Sequence, residues 1–136
     1  MAEAVASIAE AEPRAPAPCG TAEALPVLRL FHHCVYEYRR GVRSLFLMTV
    51  SRRELELVRG RLQAQSIDHF VQELNADKAN IFFGGPAHVA VARCFVTRPL
   101  HALTAEQDFM LGTLLGYDGD QQCRRFLTRF GRGAPA

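Results

Sequence analysis

Between residues 26 and 40, apolar and polar side chains separate onto two faces when the chain is drawn as a helix. At 100° per residue, one arc holds the apolar residues Val27, Leu30, Phe31, Cys34, Val35 and Tyr38. Pro26 suits the first turn of a helix, and Gly41 suits its C-terminal end. The pattern predicts an amphipathic first helix.

The next segment, 45–50, is apolar on both alternating faces. This pattern predicts a central strand that is covered on both sides. Ser51 and Glu54 then form a capping box, in which each side chain bonds the other residue's backbone N–H, and a helix follows to about Gln65. The residues predicted to be buried on this second helix are Leu55, Val58 and Leu62.

Two further strands are predicted at 67–74 and 80–83, with the segment 75–78 between them as a hairpin loop. After these strands, the segment 86–96 has two interpretations. Pro86 is a favoured first residue of a helix, whereas the alternation of Val and Ala would also suit a strand. The helix is the preferred prediction.

The C-terminal third is predicted to be helical. Thr104 and Gln107 form a second capping box, which begins a helix that runs through Gly116, and another helix begins near Asp118. The residues predicted to be buried on this last helix are Cys123, Phe126, Leu127 and Phe130. The order α-β-α-β-β-(α)-α-α predicts an α+β fold with a small sheet of about three strands.

Length and composition fit one domain. The chain has 136 residues, of which 49% are hydrophobic and 22% charged, so it can bury a core of its own. Residues 1–23 are rich in Ala, Pro and Glu and are predicted to form a disordered tail. The predicted domain spans 24–132, and 133–136 are predicted to form a disordered C-terminus.

The net charge of +2 is too small to predict nucleic-acid or membrane binding from bulk electrostatics. The distribution of charge is more informative, because nearly all basic residues are arginine and many cluster at 39–61 and 124–132. A high-GC genome would produce the same arginine bias without any function.

The sequence predicts a cytoplasmic protein. Its first residues lack the basic region of a signal peptide, and no apolar run approaches the roughly 20 residues of a membrane span. The four cysteines are far apart and form no C-x-x-C pair, which is atypical of a secreted disulfide scaffold.

The polar face of the first helix is the main candidate for function. It carries arginine, tyrosine and histidine, and the first two dominate the energetics of protein interfaces. The predicted partner-binding residues are Arg29, His32, His33, Tyr36, Arg39, Arg40 and Arg43. Arg52, Arg53 and Arg59 would extend this basic surface if the first two helices share a side of the sheet. The alternative is a solvated helix face with scattered charge.

Catalytic and metal chemistry are weakly supported. His33 and Glu37 have a chelating i, i+4 spacing, but a zinc site needs three or four protein ligands and no further cluster lies nearby. Cys34 lies on an apolar arc, as a small hydrophobic residue would. No metal, cofactor or catalytic residue is predicted.

The turn Phe83-Gly84-Gly85 precedes a possible helix N-terminus, where backbone N–H groups can hold an anion. The lysine and the serine or threonine of a P-loop are missing, so a plain tight turn is the favoured interpretation.

The predicted structural residues lie on the last two helices. Gly112 and Gly116 are one turn apart and allow another element to approach closely, and Cys123 lies on the predicted apolar arc. Asp108 in the first turns must be paired if it is buried, and Arg43 is a natural counter-ion. A structural ion pair is favoured over a general acid or base.

Three sequence blocks resemble an uncharacterised bacterial family, Domain of Unknown Function number twenty twenty-three, over about residues 27–130. The blocks are 32–43, 80–84 and 106–118, together with Gln122 and Cys123. Gln107 departs from the family pattern, which has a second acid there. The resemblance implies a small α+β fold, no known activity, and genes found beside those for flavodoxin, the electron carrier used under iron limitation.

Two main hypotheses follow. The first is a non-enzymatic interaction protein that binds an acidic redox partner such as flavodoxin, which an arginine-rich face would complement electrostatically. The second is a small enzyme or anion-binding domain that uses Asp108, His32 or His33 and the turn at 83–85. A homodimer that uses the same helix face on itself is a third possibility.

Overall fold

The structure is a computed structural model that describes residues 21–133, with the side chains from 26 to 131. Its helices are α1 (Thr21–Arg39), α2 (Arg52–Ala64), α3 (Pro86–Phe95), α4 (Ala105–Leu114) and α5 (Gly119–Gly133). Its strands are β1 (Leu45–Ser51), β2 (Asp68–Glu73) and β3 (Lys78–Gly84), and a 3₁₀ turn spans Leu100–Ala102. The predicted α+β class is confirmed, and 86–95 is a helix.

Helix α1 begins at Thr21, earlier than the predicted start near 26. The rest of the predicted N-terminal tail, 1–20, lies outside the described residues, as do 134–136 of the predicted C-terminal tail. The described residues divide into two compact units, one that ends at Val42 and one that begins at Arg43. The first contains α1, and the second contains the sheet and α2 to α5.

The C-terminal end of α1 is a Schellman motif. Gly41 has a φ of 76°, a left-handed conformation that glycine adopts without steric cost. The N–H of Val42 donates to the carbonyl of Glu37 at 2.9 Å, and the N–H of Gly41 donates to that of Tyr38 at 3.1 Å. The predicted stop at Gly41 is therefore confirmed by its backbone geometry.

The buried side of α1 differs in part from the predicted arc. The buried side chains are Leu28, Phe31, Cys34 and Val35. Leu30, which was predicted to face inward, is 52% exposed, and Tyr38 is only half-buried. The buried stripe is therefore rotated toward Leu28, and the apolar arc of the helical wheel is wider than the surface that is buried.

The sheet has the strand order β1-β3-β2, and both pairings are antiparallel. The prediction that 45–50 is a central strand is wrong, because β3 occupies the centre and β1 an edge. Residues on both faces of β1 are nevertheless buried, including Leu45 and Phe46. An apolar run indicates that both faces of a strand are covered. The place of the strand in the sheet depends instead on whether one or both of its hydrogen-bonding edges are paired.

Aromatic pairs join neighbouring strands. Phe46 of β1 lies opposite Phe83 of β3, with ring centroids 5.4 Å apart, and Phe70 of β2 lies opposite Phe82 of β3 at 4.7 Å. Phe82 also belongs to a buried cluster formed with helices α3 and α4 and the segments around them. Its other members are Leu45, Val89, Ala92, Phe95, Val96, Leu103, Leu111 and Leu115. This cluster fixes α3 and α4 against the sheet.

Both predicted capping boxes are present. The N–H of Glu54 donates to Ser51 Oγ at 3.2 Å, and the N–H of Ser51 donates to Glu54 Oε1 at 2.8 Å. Thr104 and Gln107 exchange the equivalent bonds at 3.1 Å each. These reciprocal bonds satisfy N–H groups that the first turn of a helix leaves unpaired, so α2 and α4 begin where the sequence predicts.

The prediction that α5 buries its apolar arc is wrong. Leu127 is 66% exposed, Phe130 is 48% exposed, Cys123 is exposed and Phe126 is only partly buried. Among the described side chains of this helix, that of Gln122 is buried, and it packs against α4. Polar contacts with α4, together with the edge-on contact of Phe126 with Phe109, therefore set the rotation of α5, and the rest of its apolar arc is turned largely toward solvent.

Candidate binding surfaces

The polar side of α1 carries six of the seven predicted partner-binding residues, and we call this surface the α1 basic face. Its members are Arg29, His32, His33, Tyr36, Arg39 and Arg40, and all of them are exposed. The face results from the 3.6-residue period, which places the apolar positions of the same segment on the opposite side. Tyr36 is 51% exposed although it is a large aromatic residue.

Side chains one turn apart contact each other on this face. The guanidinium of Arg40 lies over the ring of Tyr36, 5.8 Å from its centroid. His33 Nε2 is 3.2 Å from a carboxylate oxygen of Glu37, which is the one acidic residue between 26 and 42. These i, i+4 contacts orient the aromatic ring and part of the charge on the helix surface.

Arg43 lies in the second unit, beyond the end of α1. Its guanidinium donates to the carbonyl of Leu115 at 3.2 Å and stacks 4.5 Å from the ring centroid of Phe46. The Leu115 carbonyl is at the C-terminus of α4, where a cation is favourable. Arg43 therefore has a structural role within the second unit, which sets it apart from the α1 basic face.

The basic residues of α2 are also partly engaged within the second unit. Arg52 forms an ion pair with Glu73 and donates to the carbonyls of Asn75 and Ala76 in the hairpin loop. The hydrogen bond from Arg52 is the main cause that lowers the pKa of the Glu73 carboxyl and raises the pKa of Arg52 itself. Arg52 thus ties α2 to the β2–β3 hairpin.

The turn Phe83-Gly84-Gly85 has little capacity for an anion. Gly84 has a φ of 145°, and a Cβ there would lie 2.1 Å from the carbonyl oxygen of Ser44. The N–H of Gly85 donates to that same oxygen at 2.8 Å, so it is not available to a ligand. Phe83 is fully buried. Glycine is needed here for a close approach between two backbone segments.

Asp108 forms an ion pair, but its partners are not the predicted one. Arg125 Nε and Nη2 donate to its two carboxylate oxygens at 2.6 and 3.1 Å, and Arg129 Nη1 lies 3.1 Å away. Burial raises the pKa of Asp108, but the hydrogen bonds and charges of Arg125 and Arg129 outweigh it and hold that pKa below its usual value. An ionised carboxylate held by two guanidinium groups is poorly suited to act as a general base.

The arginines of α5 were not assigned a function from the sequence. The available signal was the i, i+4 spacing of Arg125 and Arg129, which places both on one side of a helix. Arg129 Nη2 also donates to the carbonyl of Leu103 at 2.8 Å, and Arg124 pairs with Asp120 at 2.7 Å. The partner carboxylate of Arg125 lies 17 residues away, and such long-range pairing is not visible in a periodic pattern.

The remaining predicted structural residues lie along the α4–α5 hairpin. A Cβ on Gly112 would come within 2.0 Å of Gln122 Oε1, so this glycine permits the close packing of α5. Gly116 has a φ of 79° and ends α4 in a second Schellman motif, in which the N–H of Tyr117 donates to the Gly112 carbonyl. Cys123 is a free, exposed thiol.

Two properties of residues 21–133 bear on the class of site. No three His, Cys, Asp or Glu side chains in this range lie together in a way that would hold a metal ion. In the same range, every helix is too short or too polar to cross a membrane.

The fold and these surfaces define a small α+β protein with a three-stranded antiparallel sheet and arginine-rich helix surfaces. The chain belongs to the family described as protein of unknown function (DUF2023), whose model matches residues 29–129. That match begins in α1, ends in α5 and includes all three strands. No curated protein matches the chain.

Proposed function

We propose that this protein is a non-enzymatic interaction protein whose α1 basic face binds an acidic protein partner. The observation that carries the proposal is the row formed by Tyr36 and Arg40, an exposed aromatic ring covered by a guanidinium. Tyrosine and arginine are enriched among residues that dominate binding energy, because they combine large contact area with directional hydrogen bonds. Such a pair on a helix surface is favourable for docking.

The charge of the face determines the kind of partner. Three arginines and two histidines are exposed along it, and its neighbouring acid Glu37 is held by His33. A partner with a negative surface would be steered toward this face, which raises the association rate more than the affinity. A second copy of the chain would place arginines opposite arginines, so a homodimer through this face is disfavoured.

Among acidic partners we propose flavodoxin, because the family resemblance implies genes found beside those for this electron carrier. The protein would act as an accessory factor in electron transfer under iron limitation, in the cytoplasm. The exposed thiols of Cys94 and Cys123 fit a reducing compartment, where cysteines stay unpaired. Flavodoxin supplies a direct test because its bound flavin provides an optical signal.

The test is a titration of oxidised flavodoxin with the full chain and with the double variant Arg29→Glu plus Arg40→Glu. We expect the variant to bind at least about tenfold more weakly and to show a flatter dependence on salt. The matched control is Arg98→Glu plus Arg124→Glu, which makes the same change in net charge on exposed residues of the second unit. Arg43 is left intact because it is hydrogen-bonded to Leu115.

The outcomes separate the parts of the proposal. Weak binding by the face variant and normal binding by the control would support the surface and the partner together. Equal loss in both double variants would show that only net charge matters and would contradict the α1 basic face. Absence of binding by the unmodified chain would exclude flavodoxin as the partner.

A further inference from the structure

Two neighbouring cavities are lined entirely by residues of the second unit. The first has a volume of about 500 Å³ and is lined by residues of the 3₁₀ turn and α5, namely His101, Arg124, Arg125, Thr128 and Arg129. The second, of about 410 Å³, has five leucines among its eleven lining residues, and His101 and Arg125 also belong to its wall. Both volumes are in the range of small-molecule sites.

The first cavity is suited to an oxyanion. Its lining has three guanidinium groups, an imidazole and a hydroxyl, and within the described part of the chain no carboxylate lines it. Each guanidinium has five N–H donors on three nitrogens; Arg125 and Arg129 each use two of these nitrogens on Asp108 and Leu103, and Arg124 uses one on Asp120. N–H groups therefore remain for a carboxylate or phosphate, with the bidentate geometry that arginine favours.

The arginines are held in place before any ligand arrives. Asp108 contacts both Arg125 and Arg129, and the Leu103 carbonyl accepts from Arg129. A side chain already fixed in this way loses little conformational freedom on binding, which is the main cost of using a long flexible residue. Asp108 compensates one of the two charges, so a net positive charge is left between them.

The second cavity is suited to an apolar group. The apolar residues of its wall are Leu47, Leu100, Leu103, Leu111, Gly112 and Leu115. Asp108 and Gln122 also line it, but Asp108 is neutralised by its arginines, and Tyr117 contributes a half-exposed ring. Small-molecule sites commonly combine an apolar wall with a few polar groups that fix orientation.

We infer that the two cavities form one binding site for a small amphiphilic anion. Its carboxylate or phosphate would lie against Arg124, Arg125 and His101, and its apolar group would contact the leucines. The site uses only residues of the second unit and is independent of the docking function proposed for α1.

The test is an NMR titration of the isotope-labelled full chain with decanoate, below the concentration at which decanoate aggregates. We expect saturable shifts of the His101, Arg125 and Tyr117 amides and of the arginine Nε–H groups. Decanol, which has the same chain without the charge, and inorganic phosphate, which has charge without the chain, are each expected to bind at least about tenfold more weakly, because each lacks one half of the interaction.

Variants test separately the arginine-lined cavity and the leucine-lined cavity. Arg124→Glu is expected to weaken decanoate binding by about tenfold, because it replaces a charge-assisted donor by a repelling carboxylate. Arg98→Glu, on an exposed arginine outside both cavities, is expected to leave binding unchanged. Tyr117→Ser should weaken decanoate while leaving phosphate binding as it was.

Several results would overturn the inference. They are the absence of saturable decanoate binding, equal affinity for decanol, equal affinity for phosphate, or the same affinity in Arg124→Glu and Arg98→Glu. Both charge variants lie on exposed side chains, and an amide spectrum like that of the unmodified chain will show that loss of binding is not a result of unfolding.

Discussion

Asparagine in place of Asp108 tests whether the ion pair between α4 and α5 stabilises the second unit. The carboxylate accepts two hydrogen bonds from Arg125 and lies beside Arg129. The Asp108→Asn substitution keeps the size of the side chain but removes its charge. Both arginines are then left without their counter-ion, and α5 loses a main contact that sets its rotation.

The magnitude follows from burial. An exposed ion pair contributes about 0.2–1 kcal/mol, and breaking a buried one costs about 3–5 kcal/mol. The Asp108 side chain is 16% exposed, whereas Arg125 is 56% and Arg129 26% exposed, so solvent screens the pair in part. We therefore expect the free energy of unfolding to fall by about 2 kcal/mol, between the two limits.

Urea denaturation followed by circular dichroism measures this change, and Asp120→Asn is the matched control. Asp120 is also an acid in the first turn of a helix, and it also pairs with an arginine, Arg124, but both side chains are at least 70% exposed. Its loss should cost less than about 1 kcal/mol. The helix dipole acts on both acids. The difference in the free energy of unfolding between the two variants therefore measures the stabilisation that Asp108 gains from its more buried ion pairs.

The same ion pair predicts a pH dependence. The pKa of Asp108 is lower in the folded chain than its ordinary value, so its contribution is fully present above the ordinary pKa. The contribution is lost as the pH falls through the lowered pKa. The gap between the original chain and Asp108→Asn should be constant from pH 7 to 5 and shrink toward pH 3. A cost below 0.5 kcal/mol at pH 7, or a gap that widens in acid, would refute the reasoning.

Three further substitutions test other features by the same denaturation assay. Ser66→Gly should raise the free energy of unfolding by about 0.5–1 kcal/mol, because Ser66 follows the end of α2 with a φ of 57°, which glycine adopts without steric cost. An unchanged free energy of unfolding would contradict this strain at Ser66. Gly84→Ala should lower stability by at least about 3 kcal/mol or prevent folding, because its Cβ would overlap the Ser44 carbonyl; a stable variant would refute the tight approach. Leu127→Ala should change stability by less than about 0.5 kcal/mol, whereas Leu111→Ala should cost about 2–5 kcal/mol; equal costs would mean that α5 buries its apolar arc.

Local signals in the sequence predicted most of the elements. The capping boxes at Ser51 and Thr104 mark helix starts because they satisfy backbone groups within four residues. Gly41 marks a helix end because its left-handed conformation is favourable for glycine. These interactions are close along the chain, so periodicity and turn chemistry are sufficient to predict them.

The wrong predictions concern features that depend on contacts between residues far apart in the chain. Strand β1 is apolar enough to be central, but strand order depends on its pairing with β3, which no local pattern records. Helix α5 has a clear apolar arc, yet Gln122 packs on Gly112 and Arg125 binds Asp108, and these contacts turn the arc outward. The arginine-lined cavity was missed for the same reason.

The central claim is that the α1 basic face binds an acidic protein. The most direct measurement is the dissociation constant of the complex with flavodoxin at two salt concentrations, for the full chain and for Arg29→Glu plus Arg40→Glu. The proposal predicts binding by the unmodified chain that weakens with salt, and at least about tenfold weaker binding by the variant with a smaller salt dependence. Equal affinities for the two chains would contradict it.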